Sequence, residues 1–220
     1  MNIKTDSQLQ RDVIDELKWD PTVGAAEIGV ASKDGVITLS GQVDSYAKKY
    51  AAERAAERVA GVKAIAEDLK VKVPSSFQRS DTDIAHAVVS ALSWDIEVPD
   101  DRIKSKVENG WIWLEGDVEW QYQKTAAERA VRYLTGVHGV TNLITVKPKR
   151  VSPFEVGNKI KDALRRSAEM DANRITVQAA GGEVTLKGTV RSFAERVDAE
   201  RAAWAAPGVT KVRDEILISP

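Results

Sequence analysis

The 220 residues contain no cysteine, which removes disulfides, thiolate metal centres and thiol catalysis together. Histidine is nearly as scarce, with only His86 and His138 present, and neither stands among histidines or carboxylates at ligand spacing, so no metal is expected. No run of 18 apolar residues exists, and Met1-Asn2-Ile3-Lys4-Thr5-Asp6 lacks the apolar stretch of a signal peptide. The expectation is a cytoplasmic protein without a transmembrane segment, periplasmic only if the N-terminus has been trimmed. A strong charge of one sign is missing as well: the net charge is −1, which argues against a nucleic-acid partner. With 43% hydrophobic and 30% charged residues, the composition is that of an ordinary soluble globular protein.

What the chain has is one pattern written three times. Gly35-Val36-Ile37-Thr38-Leu39-Ser40-Gly41-Gln42-Val43 returns as Gly110-Trp111-Ile112-Trp113-Leu114-Glu115-Gly116-Asp117-Val118, then as Gly182-Glu183-Val184-Thr185-Leu186-Lys187-Gly188-Thr189-Val190, at offsets of 75 and 72 residues. Ala52-Glu53-Arg54 returns as Ala127-Glu128-Arg129 and Ala199-Glu200-Arg201, and Gly61-Val62 as Gly136-Val137 and Gly208-Val209. Repeats at such a period indicate tandem domains, here 5–74, 80–148 and 152–220. Domains of about 70 residues are marginal alone, so packing between neighbours is expected. Charge differs between copies: residues 1–74 carry 11 basic and 12 acidic side chains, 75–148 carry 8 and 11, and 149–220 carry 13 and 10, giving −1, −3 and +3. An anionic partner should prefer the third copy.

Each copy opens with a capping-box pattern, Thr5-x-x-Gln8, Ser80-x-x-Asp83 and Ser152-x-x-Glu155, of which the middle one is the loosest match. Apolar residues follow at helical spacing: Leu9, Val13, Leu17; Ile84, Val88, Leu92; Val156, Ile160, Leu164. Asp34-Gly35, Asn109-Gly110 and Gly181-Gly182 then sit between alternating segments, the residues a tight hairpin requires. An alanine-rich helix ends at Gly61, Gly136 or Gly208, and a last strand closes the unit. The fold class is α+β: three αββαβ domains, each a three-stranded mixed sheet covered on one face by two helices.

The Gly-x-x-x-Leu-x-Gly-x-Val strand and the Gly-Val before the last strand, present in all three copies, resemble the BON domain family (bacterial OsmY and nodulation). The resemblance covers about residues 5–220. It implies stress-associated modules without a catalytic residue, proposed to bind phospholipid surfaces or protein partners.

The residues themselves point away from catalysis. Gly35 and Gly41 flank a strand without the lysine or helix start of a phosphate loop, and no nucleophile elbow is present. Gly35, Gly41, Gly61, Gly110, Gly116, Gly136, Gly182, Gly188 and Gly208 are taken as structural. His86 and His138 align with Arg11 and Asn158, and with Lys63 and Thr210, so both are expected at the surface. The arginines of the Glu-Arg pairs, Arg54, Arg129 and Arg201, are expected on solvated helix faces, with a carboxylate on a neighbouring copy as the alternative.

Departures between copies carry more information. Trp111 and Trp113 flank Ile112 and therefore point to the sheet face the helices leave open; with Trp120 they form a candidate interaction patch, which a neighbouring copy is expected to cover. Trp19 and Trp94 close the first helix of copies one and two and are expected to pack against the next segment. Arg166 replaces them in copy three, within Lys159-Ile160-Lys161-Asp162-Ala163-Leu164-Arg165-Arg166. Lys159 and Arg166 share a helix face and, with Lys149 and Arg150 of the linker, form a candidate anionic-surface site. The reading is a non-enzymatic stress-associated binding or scaffolding protein in peripheral contact with anionic phospholipid. A pure protein-interaction scaffold and a small-ion sensor are the alternatives.

Overall fold

The hairpin signal of the sequence is where the architecture starts. In a computed structural model that describes residues 4–148, 156–166 and 174–219, Asp34 and Gly35 take φ of 53° and 83°, Asn109 and Gly110 52° and 74°, and Gly181 and Gly182 58° and 88°. Two successive positive φ values match the twist of the strands they join. The first repeat runs α1 (Asp6–Trp19), β1 (Ile28–Lys33), β2 (Val36–Val43), α2 (Tyr46–Arg58) and β3 (Ala64–Val71). The second runs α3 (Asp81–Trp94), β4 (Ile103–Glu108), β5 (Trp111–Val118) and α4 (Gln121–Arg132), then a third strand split into β6 (Gly139–Asn142) and β7 (Thr145–Val146). The third runs α5 (Val156–Arg166), β8 (Ile175–Ala180), β9 (Glu183–Val190), α6 (Phe193–Trp204) and β10 (Lys211–Ile218).

In every sheet the second strand of the hairpin is central: β1-β2-β3, β4-β5-β6 with β7 also on β5, and β8-β9-β10. The hairpin pairs are antiparallel, and the strand returning after the helix is parallel to the centre, as β6 is to β5 and β10 to β9. That mixed order is the one a helical crossover imposes. Ile37, Ile112 and Val184 hold the same central position and are all fully buried. So are the helix-face residues Val13, Val88 and Ile160.

Contacts divide the chain into two compact units, residues 1–40, 52–68 and 148–220 in one, and 41–51 and 69–147 in the other. The second unit holds the whole second repeat, whose core runs from Ile84 through Ile112 and Leu114 to Ile144. Within that unit Tyr46, the first residue of α2, packs on this core. In the first unit the third repeat has its own core, centred on Ile160, Val184 and Leu186.

The helix starts follow the capping patterns. Thr5 Oγ1 accepts from the Gln8 N–H at 3.3 Å while Gln8 Oε1 accepts from the Thr5 N–H at 2.9 Å, a complete box. At α3 Ser80 Oγ accepts from the Asp83 N–H and donates to the Asp83 carboxylate, at 3.2 and 2.7 Å. Ser152 lies outside the described residues. The residue after each cap ties the helix to the hairpin: Asp81 accepts from the N–H groups of Asn109 and Gly110 at 2.7 and 2.8 Å. Asp6 does the same to Ser32 and Asp34 at 3.1 and 3.2 Å, and these bonds, the Asp34 N–H foremost, hold its carboxyl below the ordinary aspartate range.

The nine glycines named from the sequence have φ between 74° at Gly110 and 139° at Gly116 and Gly188. The last two are decisive for packing. A Cβ at Gly116 would overlap the carbonyl oxygen of Arg102, and one at Gly188 that of Arg174. This glycine therefore lets the paired strand pass at a distance no side chain tolerates.

Candidate functional site

The open face of the second sheet is built by register. Lys106 pairs with Trp113 and Glu108 with Trp111 across β4 and β5, and Gly139 and Thr141 of β6 lie opposite Trp111 and Trp113. Ile112 and Leu114 point the other way and are fully buried, so the two indoles emerge on the helix-free side as the alternation requires. Their ring centroids are 6.4 Å apart and the planes inclined by 40°. Trp111 Nε1 donates to Thr141 Oγ1 at 2.8 Å, and its ring lies over Gly139, where any Cβ would meet ring carbons at 2.5–2.6 Å. Lys106 Nζ stands 5.3 Å from the Trp113 ring and is paired with Glu108 at 2.8 Å, which keeps the lysine's pKa above its ordinary value. Trp111 remains 38% exposed.

Trp120 does not join this pair. It precedes α4 beyond the far end of β5, and a strand of that length separates it from Trp111 by roughly 20 Å. Its N–H is held by Gln123 Oε1 at 3.0 Å, which makes it a helix-start residue.

Trp19 and Trp94 are not packed against the following segment as the sequence suggested. They are 84% and 89% exposed at the C-terminal ends of α1 and α3, and Ile96, two residues beyond Trp94, is fully exposed. The chain turns back right after each helix: Asp20 caps α1 through its N–H to the Glu16 carbonyl at 3.1 Å. Val23 and Val98 then enter the core, leaving the preceding indole outside. In α5 Arg166 stands at the equivalent C-terminal end and Lys159 two turns earlier; both are exposed, on a flank of the stripe formed by buried Val156, Ile160 and Leu164. Lys149 and Arg150 lie outside the described residues. The formal charge of the first helix changes sign along the chain: α1 carries four acidic and two basic residues, α3 two acidic and none basic, and α5 one acidic and four basic.

The Glu-Arg arginines stay within their own repeats. Arg54 pairs with Glu57 at 2.6 Å, Arg201 with Asp198 at 3.0 Å, and Arg129 with Asp95 and Glu97 at 3.5 and 2.7 Å. In the first repeat the equivalent acid, Asp20, is reached one turn later by Arg58 at 2.9 Å. Hydrogen bonds from Thr22 and Arg58 hold Asp20 below the usual carboxylate range. His138 Nδ1 is 2.9 Å from the Asn109 carbonyl, and His86 is exposed. Among the described residues no group of three or more metal-ligating side chains comes together, and no helix is long and apolar enough to cross a membrane.

One residue escaped the sequence reading. Arg132, at the end of α4, is 7% exposed; its guanidinium carbon lies 3.4 Å from the Tyr50 ring centroid, and Nη2 donates to Glu128 at 2.7 Å. Helical spacing gives no reason to bury an arginine there. The signal was the variability of that register position, which is Glu57 in copy one and Trp204 in copy three.

Comparison with known proteins agrees with this architecture. Osmotically-inducible protein Y of Escherichia coli (strain K12) is 28% identical over 150 residues, 66% of this chain and 75% of that protein. Two structures of CdsD, a structural protein of the type III secretion system of Chlamydia trachomatis, one of them its C-terminal domain, cover 96% and 99% of this chain and 91% and 100% of their own. Their identities are 16% and 14% and their TM-scores 0.28 and 0.26, too low for the likeness to carry an argument. The model of the BON domain matches residues 5–73, 80–148 and 155–220, each with the hairpin glycine, the close-approach glycine and the Gly-Val before the last strand, and the chain belongs to the BON domain family.

Proposed function

We propose that the chain is a non-enzymatic, stress-associated protein that makes peripheral contact with anionic phospholipid surfaces. The observation that carries this reading is the set of first-helix ends: two equivalent tryptophans, Trp19 and Trp94, 84% and 89% exposed, and an arginine, Arg166, in the third copy. An indole with an apolar body and a single N–H donor is suited to a headgroup boundary. The basic α5 supplies attraction to anionic headgroups, at about 1 kcal/mol for each base near the surface. No helix among the described residues is long and apolar enough to span, so the contact is superficial. The relative named for osmotic induction supports the association with stress.

The test is co-sedimentation with vesicles of graded anionic content. Binding should fade as salt shortens the Debye length from ~10 Å at 0.1 M, and Lys159→Glu with Arg166→Glu should abolish it. A protein that ignores anionic vesicles at low salt overturns the reading. In that case the Trp111–Trp113 pair, fixed by Thr141 and Lys106 on an open sheet face, favours a protein-interaction scaffold.

A further inference from the structure

Beside buried Arg132 the second unit has a cleft of ≈ 260 Å³, lined by Asp44, Tyr46 and Val73 of the first repeat, Phe77 of the linker, and Arg132 and Tyr133 of the second, among others. Its two ends differ. At the mouth Phe77 and Tyr133 are 56% and 66% exposed, and with Tyr46 they offer three aromatic rings. Near them Asp44 is paired with Lys48 at 2.6 Å and held ionised by that hydrogen bond. At the inner end the Arg132 guanidinium gives Nη2 to Glu128, while its buried Nε donates to no acceptor among the described residues. A buried donor without an acceptor is costly, and an arginine fork with donors left over suits a carboxylate.

We propose that this cleft binds a free small zwitterion, an alkylated ammonium joined to a carboxylate, with the ammonium among the aromatic rings and the carboxylate on the guanidinium of Arg132. The charge balance favours this class. The charged side chains that line the cleft are Asp44 and Arg132, of opposite sign, so a simple anion drawn to Arg132 also meets the Asp44 carboxylate, and a simple cation drawn to Asp44 also meets Arg132. A zwitterion places each end beside its complement. Aromatic faces attract an alkylated ammonium without requiring a hydrogen-bond donor from it. The volume is below that of a typical drug-sized site, which limits the ligand to a small molecule. The inference is independent of the membrane reading.

The experiment is ¹⁵N-detected NMR titration of the full chain with trimethylglycine, choline, acetate and phosphocholine as separate probes. Trimethylglycine should move the Arg132 Nε–H signal and the amides of residues 44–47 and 133–137 along a saturable curve, with Kd of roughly 1 mM, the order a ligand of about eight heavy atoms reaches. Choline and acetate should each bind at least about tenfold more weakly, and Tyr133→Ala, a change at an exposed position, should weaken trimethylglycine about tenfold. Arg132→Lys should remove the effect; Tyr133→Ala keeps the test valid if that variant fails to fold. A linear drift shared by the whole protein, a solvent effect of the probe, overturns the proposal. Acetate or choline matching trimethylglycine overturns it too, as does phosphocholine binding where trimethylglycine does not.

Discussion

Replacing Gly116 by alanine tests the family's close-approach glycine directly. Gly116 has φ of 139°, its new Cβ would overlap the Arg102 carbonyl oxygen, and Ile103 Cα would stand 3.2 Å away. The backbone conformation alone costs an alanine about 1–3 kcal/mol. The overlap cannot be relieved by a rotamer, because the obstacle is the backbone carbonyl just before β4, whose first residue, Ile103, is paired in register with Gly116; overpacking of this kind costs a further ~1–3 kcal/mol. Against this, restricting the unfolded chain returns only about 0.4–1 kcal/mol. The net loss is about 3 kcal/mol, a large share of the roughly 4–10 kcal/mol available to a domain of this size. It corresponds to a fall in Tm of about 10–25 °C. Thermal unfolding followed by tryptophan emission reports on the same strand, which carries Trp111 and Trp113. Gly29→Ala is the control, since its Cβ meets the Ser40 hydroxyl at 3.0 Å, a side chain that can turn, and the Ser40 carbonyl oxygen only at an ordinary 3.6 Å. If Gly116→Ala melts within about 3 °C of the unmodified protein, below what 1 kcal/mol produces, the close-approach argument is wrong.

Other expectations are separately measurable. Burial raises the Glu57 carboxyl above its ordinary 4.5, with Arg54 only partly opposing. The folded state therefore holds its proton to higher pH than the unfolded state, and stability falls as pH rises through that window. Glu57→Gln should be the more stable protein at neutral pH in urea unfolding, with the advantage vanishing below about pH 4; an advantage independent of pH contradicts this. Asp81→Ala should cost about 1–2 kcal/mol by loss of two N–H acceptors at the hairpin, and hydrogen exchange at Asn109 and Gly110 should accelerate. Thr141→Val removes the acceptor of the Trp111 indole, costs about 1 kcal/mol or less, and should shift tryptophan emission to the red; unchanged emission contradicts the described ring placement.

The features legible in the sequence were those with a local physical cause. Asp-Gly, Asn-Gly and Gly-Gly placed the hairpins because few residues accept the positive φ found there, and apolar spacing placed Val13, Val88 and Ile160 inside. Features set by tertiary context were not legible. The third strand of the second repeat breaks where Asn142 Oδ1 takes the Ile144 N–H at 3.2 Å and its Nδ2 binds the Lys124 carbonyl at 2.9 Å, although Asp214 Oδ1 takes the equivalent Ile216 N–H at 2.9 Å within the unbroken β10. At the break Ile144 is turned inward and Leu143 out, at 1% and 52% exposure. The alternation of the open face placed Trp111 and Trp113 together, but linear proximity wrongly added Trp120. Arg132 is buried by Tyr50, 82 positions earlier in the chain, a contact no local pattern encodes.

The central claim is contact between the exposed first-helix tryptophans and lipid, and quenching of tryptophan emission by brominated phospholipid measures that contact. On anionic vesicles at low salt the unmodified protein should be quenched. The Trp19→Ser, Trp94→Ser double variant should lose most of that quenching with an unchanged melting curve, since both side chains are almost bare in the fold. Absence of quenching in the unmodified protein under those conditions, or equal quenching in the double variant, contradicts the account.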